Sequence, residues 1–348
     1  MTLNDCREIA TNAGLSIVFR QEEVYAWDEV LLSSMYAPFF YTTASIEYQR
    51  EYQLSHEGQW TDLSMIIEWD RKPAALLPLS LDYKDGRWEL GCFGMPVLVP
   101  LFRNGLPQSS RKKISQSILT LLDSLAMNLS IQEWRSVEYF HERIGLSDWH
   151  AAAMAAGGTC HLEHDLYIDL GQDMNSIKRG FRKSYKSLVS SGLREWHVGI
   201  LSANEPEVWE EFRELHFDVA GKRTRSNETW QKHYSDIQSG SGFLVYLRDS
   251  NGRMTGAGFF NHTRDEGMYA VAAYDRSLFD KPLGHVVQYV AIEHLKSLGI
   301  SWYKLGPRYY PSSSPAPSAK EISISEFKQG FASHLLPAFF ITHPVTSS

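Results

Sequence analysis

The chain has 348 residues, room for about two domains of roughly 150 residues each. Apolar residues make up 43% and charged residues 22% of it, which excludes a disordered or fibrous chain and calls for a folded globular protein. A formal charge of −7 disfavours a large nucleic-acid partner, because it offers no broad attraction to phosphate backbones. No run of about 18 apolar residues is present, and "MTLNDCREIATNAG" lacks a basic leader before an apolar stretch. The expected location is therefore the cytoplasm. Cys6, Cys92 and Cys160 are odd in number and far apart, so buried thiols are expected rather than disulfides or a zinc site.

In chain order, "PFFYTTASIEYQ" sets Tyr41 and Thr42 ahead of a helix. "QWTDLSMIIEWDRKPAALLPLSLDYKDGRWELGCFG" reads as a three-stranded meander, turned at "DRKP" and at Asp85-Gly86. "CFGMPVLVP" follows with Gly94 and Pro96. Helical spacing of Ile114, Ile118, Leu121, Leu122, Leu125 and Leu129 predicts a helix over 112–129, and "WRSVEYF" alternates as a strand. Small residues and glycines in "AAAMAAGGTC" place a boundary there, giving domains 1–158 and 159–348. "HLEH" is read as preceding a strand, where alternation sends His161 and His164 to opposite sides; no metal site is expected.

"DMNSIKRGFRKSYKSLVSSGL" is read as one helix stopped by Gly192, with Lys178, Arg182 and Lys186 on one basic face. That face could hold an anionic acceptor or be solvated. A second helix stops at Gly221. Three strands over 242–274 follow, with turns read at Asn251-Gly252 and Glu266-Gly267, then a helix through Leu283, Val287, Ala291 and Leu295 and the strand "ISWYKLG". "PRYYPSSSPAPSAKEIS" reads as a surface loop. The strand–strand–strand–helix–strand order thus occurs twice, about 180 residues apart, with Gly86 and Gly267 at equivalent turns, which predicts an architectural duplication.

The helix after "AAYDRSLFDKPLGH" offers unpaired N–H groups and a positive dipole end, with Arg276 and Lys281 before it and Gly284 allowing close approach. An anion such as a pyrophosphate fits there; simple packing of Pro282 and Gly284 is the alternative. Asp275 beside Tyr274, with His285 and Gln288 on the next helix, forms the best local group for proton handling, although Asp275 could equally be a turn cap.

Three stretches carry a resemblance: "IDLGQDMNSIKRGFRKSYKSLVSSGLR", "KPLGHVVQYVAIEHLKSLGISWYKLGP" and "SEFKQGFAS". In that order they resemble segments of the Fem-type (FemAB-like) aminoacyl and acyl transferases. The resemblance implies an α+β fold of two tandem GNAT-like domains, with mixed sheets flanked by helices and the donor site in the second. It implies an N-acyltransferase whose donor carbonyl meets the strand at Ala272, Ala273 or Tyr274. It also implies that Tyr41, Arg308, Tyr309 and Lys328 contact the acceptor, joined by Lys178, Arg182 and Lys304. "DKPLGH" keeps one glycine where GNAT phosphate loops carry more. No tightly bound cofactor is expected; acyl-CoA or an acyl carrier protein serves as co-substrate, and tRNA is disfavoured by charge. The acceptor is expected to be an amine of an amino sugar or cell-surface precursor. A silent relative that only binds a glycan or partner is the rival.

Overall fold

Helices start in this chain where a short polar side chain can accept an orphan backbone N–H. Thr2, Thr42, Ser147, Asp173, Ser226 and Ser318 each do so. Thr2 with Asp5 and Ser318 with Glu321 complete reciprocal capping boxes. The computed structural model describes residues 1–56, 58–139 and 146–345, in two compact units: Met1–Glu163 with Pro337–Ser348, and His164–Leu336.

The first unit runs α1 (Leu3–Asn12), β1 (Ser16–Phe19), α2 (Val24–Ser33), α3 (Thr43–Leu54), β2 (Gln59–Asp62), β3 (Met65–Trp69), β4 (Lys72–Leu77), β5 (Ser80–Lys84), β6 (Arg87–Gly91), β7 (Val97–Leu98), β8 (Leu101–Phe102), α4 (Gln108–Asn128), β9 (Glu133–Glu138) and α5 (Asp148–Ala155). The expected meander of three strands is instead five strands shared between two sheets, β1-β3-β4-β8 and β2-β5-β6. Pro78 is the reason: it has no N–H to continue a ladder, so "AALLPLSLDYK" splits there. Its two ends, β4 and β5, then pair in different sheets. The turn at "DRKP" is present, with Asp70 and Arg71 at φ 51° and 61°, as is Asp85-Gly86 at 51° and 77°, both suited to tight hairpins. The apolar stripe of α4, including Ile114, Ile118, Leu121, Leu122 and Leu125, is fully buried against β-strand residues such as Ile67 and Leu77. "WRSVEYF" is β9 up to Glu138; its Phe140 lies outside the described residues.

The second unit contains β10 (Thr159–Asp169), α6 (Met174–Gly180), α7 (Lys183–Glu195), β11 (His197–Leu201), α8 (Pro206–Ala220), α9 (Asn227–Gln238), β12 (Gly242–Arg248), β13 (Met254–His262), β14 (Glu266–Tyr274), α10 (Leu283–Ser297), β15 (Trp302–Pro307), α11 (Ala319–Gln329) and β16 (His334–Pro344). The first residues of β10 belong to the first unit, as does β16 from Pro337 on, where it pairs antiparallel with β9. The unit's sheet has the order β11-β12-β13-β14-β15-β10. Strand alternation sends Phe243, Val245 and Leu247 to the side of α7 and α10, and Leu244 to the side of α8 and α9, where Trp209, Phe212 and Phe259 pack. β14 and β15 run parallel, and α10 is the crossover that parallel neighbours require.

Several expectations are corrected here. The basic segment is two helices, because Phe181 and Arg182 take extended conformations; Phe181 is buried against Phe331 at 5.1 Å, and the Arg182 N–H donates to the Gly330 carbonyl at 2.8 Å. Lys178, Arg182 and Lys186 therefore do not share one helical face. Gly192 does not end a helix; it lies inside α7, where a Cβ would come within 2.4 Å of Val286 and 2.9 Å of Pro282. Gly267 is likewise inside β14 and faces Leu295, while the turn is made by Thr263, whose hydroxyl accepts from the N–H groups of Asp265 and Glu266. It is not the equivalent of Gly86. "HLEH" lies within β10 rather than before it, and Cys160 is exposed whereas Cys6 and Cys92 are buried. Gly221 does end α8, at φ 69°. The close approach at Gly192 gives a test. Gly192→Ala should lower stability by about 1–3 kcal/mol through overpacking against α10, offset by at most about 1 kcal/mol of helix propensity, read as a lower urea midpoint with an unchanged slope.

Candidate active site

β14 and β15 stay paired over three positions only, Glu266 with Trp302, Gly267 with Tyr303 and Met268 with Lys304. Beyond Met268 the strands part. β14 continues along β13 as far as Tyr274 opposite Gly256, and β15 follows β10 to Pro307 opposite Asp165. From Tyr269 onward the β15-facing edge of β14 has no strand partner among the described residues, which leaves backbone donors on that edge.

Tyrosines line this parting. Tyr269 and Tyr274 hydroxyls lie 3.1 Å apart, and Tyr303 donates to the fully buried Gln288 at 2.6 Å. Burial lifts the Tyr269 phenol to about 12, against the opposing hydrogen bonds from Tyr274 and Gln288. Burial also lifts Tyr274 and Tyr303 well above the usual phenol range. All three are neutral hydroxyls near neutral pH and can donate hydrogen bonds. In strict alternation Tyr269 and Tyr274, five residues apart, would face opposite sides. A bulge at Ala270, between the pairs Val271–Phe259 and Tyr269–Phe260, puts both on the α10 side.

Lys328 occupies the same place from α11. Its Nζ lies 5.2 Å over the Tyr269 ring and 3.3 Å from where a Cβ of Gly306 would stand. Gly306 has φ 105°, a conformation only glycine adopts without strain, so the backbone bares a gap that the ammonium fills. No hydrogen bond or ion pair to Nζ is present among the described residues. Burial brings its pKa down from 10.5 to about 8, with the nearby Asp165 carboxylate opposing. Asp165 itself sits 2.8 Å from Lys304, both side chains under 10% exposed.

The remaining expected site residues fall into groups. Ala272 and Ala273 are on β14 opposite Gly258 and Ala257. Gly284 opens α10, with Phe327 and Tyr274 3.1 Å and 3.5 Å from its virtual Cβ; those rings cover that side of the helix start. Lys281 is paired with Glu195 at 2.9 Å, which takes up the charge expected for a phosphate, while Arg276 is exposed in a short 3-10 turn. Asp275 caps that turn, accepting from the Ser277 hydroxyl and N–H, and is held by Arg253 at 2.8 Å. The Ser277 hydroxyl in first place, with Arg253 contributing, keeps its carboxyl below the usual range. It serves as the cap of that turn. His285 packs on Tyr185 at 4.4 Å and Phe327 at 5.1 Å; burial, with the Arg182 charge, lowers it to about 4, so it is neutral at pH 7.

The basic residues are largely engaged in building the site. Arg182 donates to the Glu326 carbonyl at 3.1 Å. Arg308 donates to Gln329 at 2.7 Å and to the Ser325 hydroxyl at 3.1 Å, and that hydroxyl also accepts the Tyr309 N–H. Together they clamp α11, the helix that carries Lys328. Lys178 is held by the Tyr289 hydroxyl at 3.3 Å. Tyr41 is corrected outright: it is 1% exposed in the first unit's core, with its hydroxyl donating to the Val99 carbonyl at 2.5 Å.

No family model and no curated protein sequence matches the chain. Among solved structures it is similar to FemX, with TM-score 0.67, 11% identity, and coverage of 93% of this chain and 96% of that one. It is also similar to L-PGS from Bacillus licheniformis, with TM-score 0.57, 12% identity, and coverage of 93% and 92%. A third is the C-terminal domain (DUF2156) of a putative lysylphosphatidylglycerol synthetase from Agrobacterium fabrum, with TM-score 0.57, 10% identity, and the same coverages. No described helix is long and apolar enough to cross a membrane. The chain therefore has a Fem-like fold, an α+β architecture of mixed sheets flanked by helices.

Proposed function

We propose that this chain is a transferase that moves an activated acyl group to an amine, with the carrier entering where β14 and β15 part. The parting beside Lys328 is the observation that carries this reading. Acyl transfer needs an opening for the carrier, donors aimed at the developing oxyanion, and a place for the amine's proton. The free edge of β14 at Tyr269–Tyr274 supplies backbone donors for the carbonyl. Lys328, a cation with little surrounding water, adds charge stabilisation beside them. The amine attacks the carbonyl carbon, the C–N bond forms, and the carrier's C–S or C–O bond breaks. The amine's proton ends on the departing sulfur or oxygen. Direct transfer is favoured because the described residues placed at the parting, Tyr269, Tyr274, Tyr303, Gln288, Gly306 and Lys328, include neither a serine nor a cysteine.

The donor is read as a thioester, acyl-CoA or an acyl carrier protein, on the charge of −7 that weakens any hold on RNA. The acceptor is read as an amine of an amino sugar or a cell-envelope precursor. Calorimetric titration with coenzyme A, acetyl-CoA and deacylated tRNA tests the donor: measurable binding of the thioester with none for tRNA is the expected result, and tRNA binding alone overturns it in favour of an aminoacyl-tRNA donor. The engagement of Lys281 with Glu195 and the cover over Gly284 favour a second reading, a silent binding relative. That reading requires that neither class of donor bind.

A further inference from the structure

In the second unit, a cleft of about 420 Å³, lined by no residue of β14 or β15, opens between α8 and the loop that leads into α9. Its two walls carry opposite charge. Helix α8 contributes Glu210, Glu214 and Asp218, one turn apart along one face. Gly221, in a left-handed conformation, ends that helix and turns the chain back, so that Lys222, Arg223 and Arg225 form the facing wall.

The charges nearest the floor are fixed. Arg225 lies 5.4 Å over the buried Trp230 ring, with one nitrogen 3.4 Å from His216. Arg213 is tied to Glu210 at 2.6 Å and to Asn227 at 2.8 Å. The charges at the rim are different: Glu214, Asp218, Lys222 and Arg223 have no hydrogen bond or ion pair among the described residues, although they line one small concavity. A lone anion would meet the acidic wall and a lone cation the basic one. A molecule with both charges, a few ångströms apart, satisfies both walls at once, and Phe217, 47% exposed at the same edge, offers an apolar surface for what lies between or beside them.

We propose that this cleft binds a zwitterionic dipeptide, with its ammonium towards Glu214 and Asp218 and its carboxylate towards Lys222, Arg223 and Arg225. The volume is at the small end of ligand pockets, the right scale for a dipeptide. The proposal does not rest on the transfer reaction, since its test reads binding alone.

The test uses the full chain and calorimetric or NMR titration with alanyl-alanine and alanyl-phenylalanine, their N-acetyl and C-amide forms, and inorganic pyrophosphate. At least one free dipeptide should bind, and blocking either end should weaken it about tenfold or more, the scale of one lost charged contact. Glu214→Gln with Asp218→Asn should abolish the preference for a free amine, and Lys222→Ala with Arg223→Ala the preference for a free carboxylate. All four positions are exposed, so the thermal midpoint should not move. Pyrophosphate binding in place of the dipeptides, affinity indifferent to blocking, or no dipeptide binding up to about 10 mM would each overturn the assignment.

Discussion

Lys328→Met should lower kcat by about 10²–10³-fold, the usual cost of removing one group that stabilises a developing oxyanion, while the urea midpoint stays close to that of the parent. Methionine keeps the unbranched stem over Tyr269 and removes only the charge, so the packing of α11, fixed by Arg182, Arg308 and Ser325, should persist. The pH dependence supplies the sign. With its pKa brought down to about 8, Lys328 is mostly ammonium at pH 7 and loses its charge as pH rises through 8. If the cation is what the reaction needs, kcat falls on an alkaline limb near that value. A rate that rises through pH 8 would mean that the neutral amine takes up a proton instead, and would remove the electrostatic role.

Asp165→Ala should be the most destabilising single change in the site, by about 3–5 kcal/mol, because it breaks a buried ion pair. The carboxylate and Lys304 are 2.8 Å apart with 7% and 5% of their side chains exposed, so little water can replace the lost partner. The same carboxylate holds the Lys328 pKa up against burial. Its loss should therefore carry the alkaline limb to lower pH, a shift that a purely structural role for Asp165 would not produce. Chemical denaturation checks the first effect, and a pH–rate profile on the folded fraction checks the second.

The second unit was the more legible half in sequence. Its three strands, the helix through Leu283 and Leu295 and the strand at "ISWYKLG" all lie where periodicity set them, because each has one continuous apolar face. The first half misled where a single residue changes the path: Pro78 divides what reads as one strand between two sheets. Glycines misled for another reason. Gly192 and Gly267 look like punctuation but are contact points under Val286 and Leu295, and nothing local distinguishes a stop from a close approach.

The same limit explains the site. Lys328, Tyr274 and Gly284 could be named from motif order, but Tyr269, Tyr303, Gly306 and Asp165 could not. Tyr269 reaches Tyr274 only through the bulge at Ala270, which breaks the two-residue period on which any strand reading depends. Asp165 and Lys304 meet across β10 and β15, 139 positions apart in number (304 − 165). The basic residues were visible as a cluster, yet charge alone did not reveal that Arg182 and Arg308 would bond to α11.

Hydrogen–deuterium exchange with and without saturating donor, run separately with acetyl-CoA and with aminoacyl-tRNA, reads the proposed entry point of the carrier directly. One of the two should slow exchange at Tyr269–Tyr274 and at Leu305–Gly306, the two diverging strand ends. Protection confined to other segments, with these amides unchanged under both donors, would contradict the account.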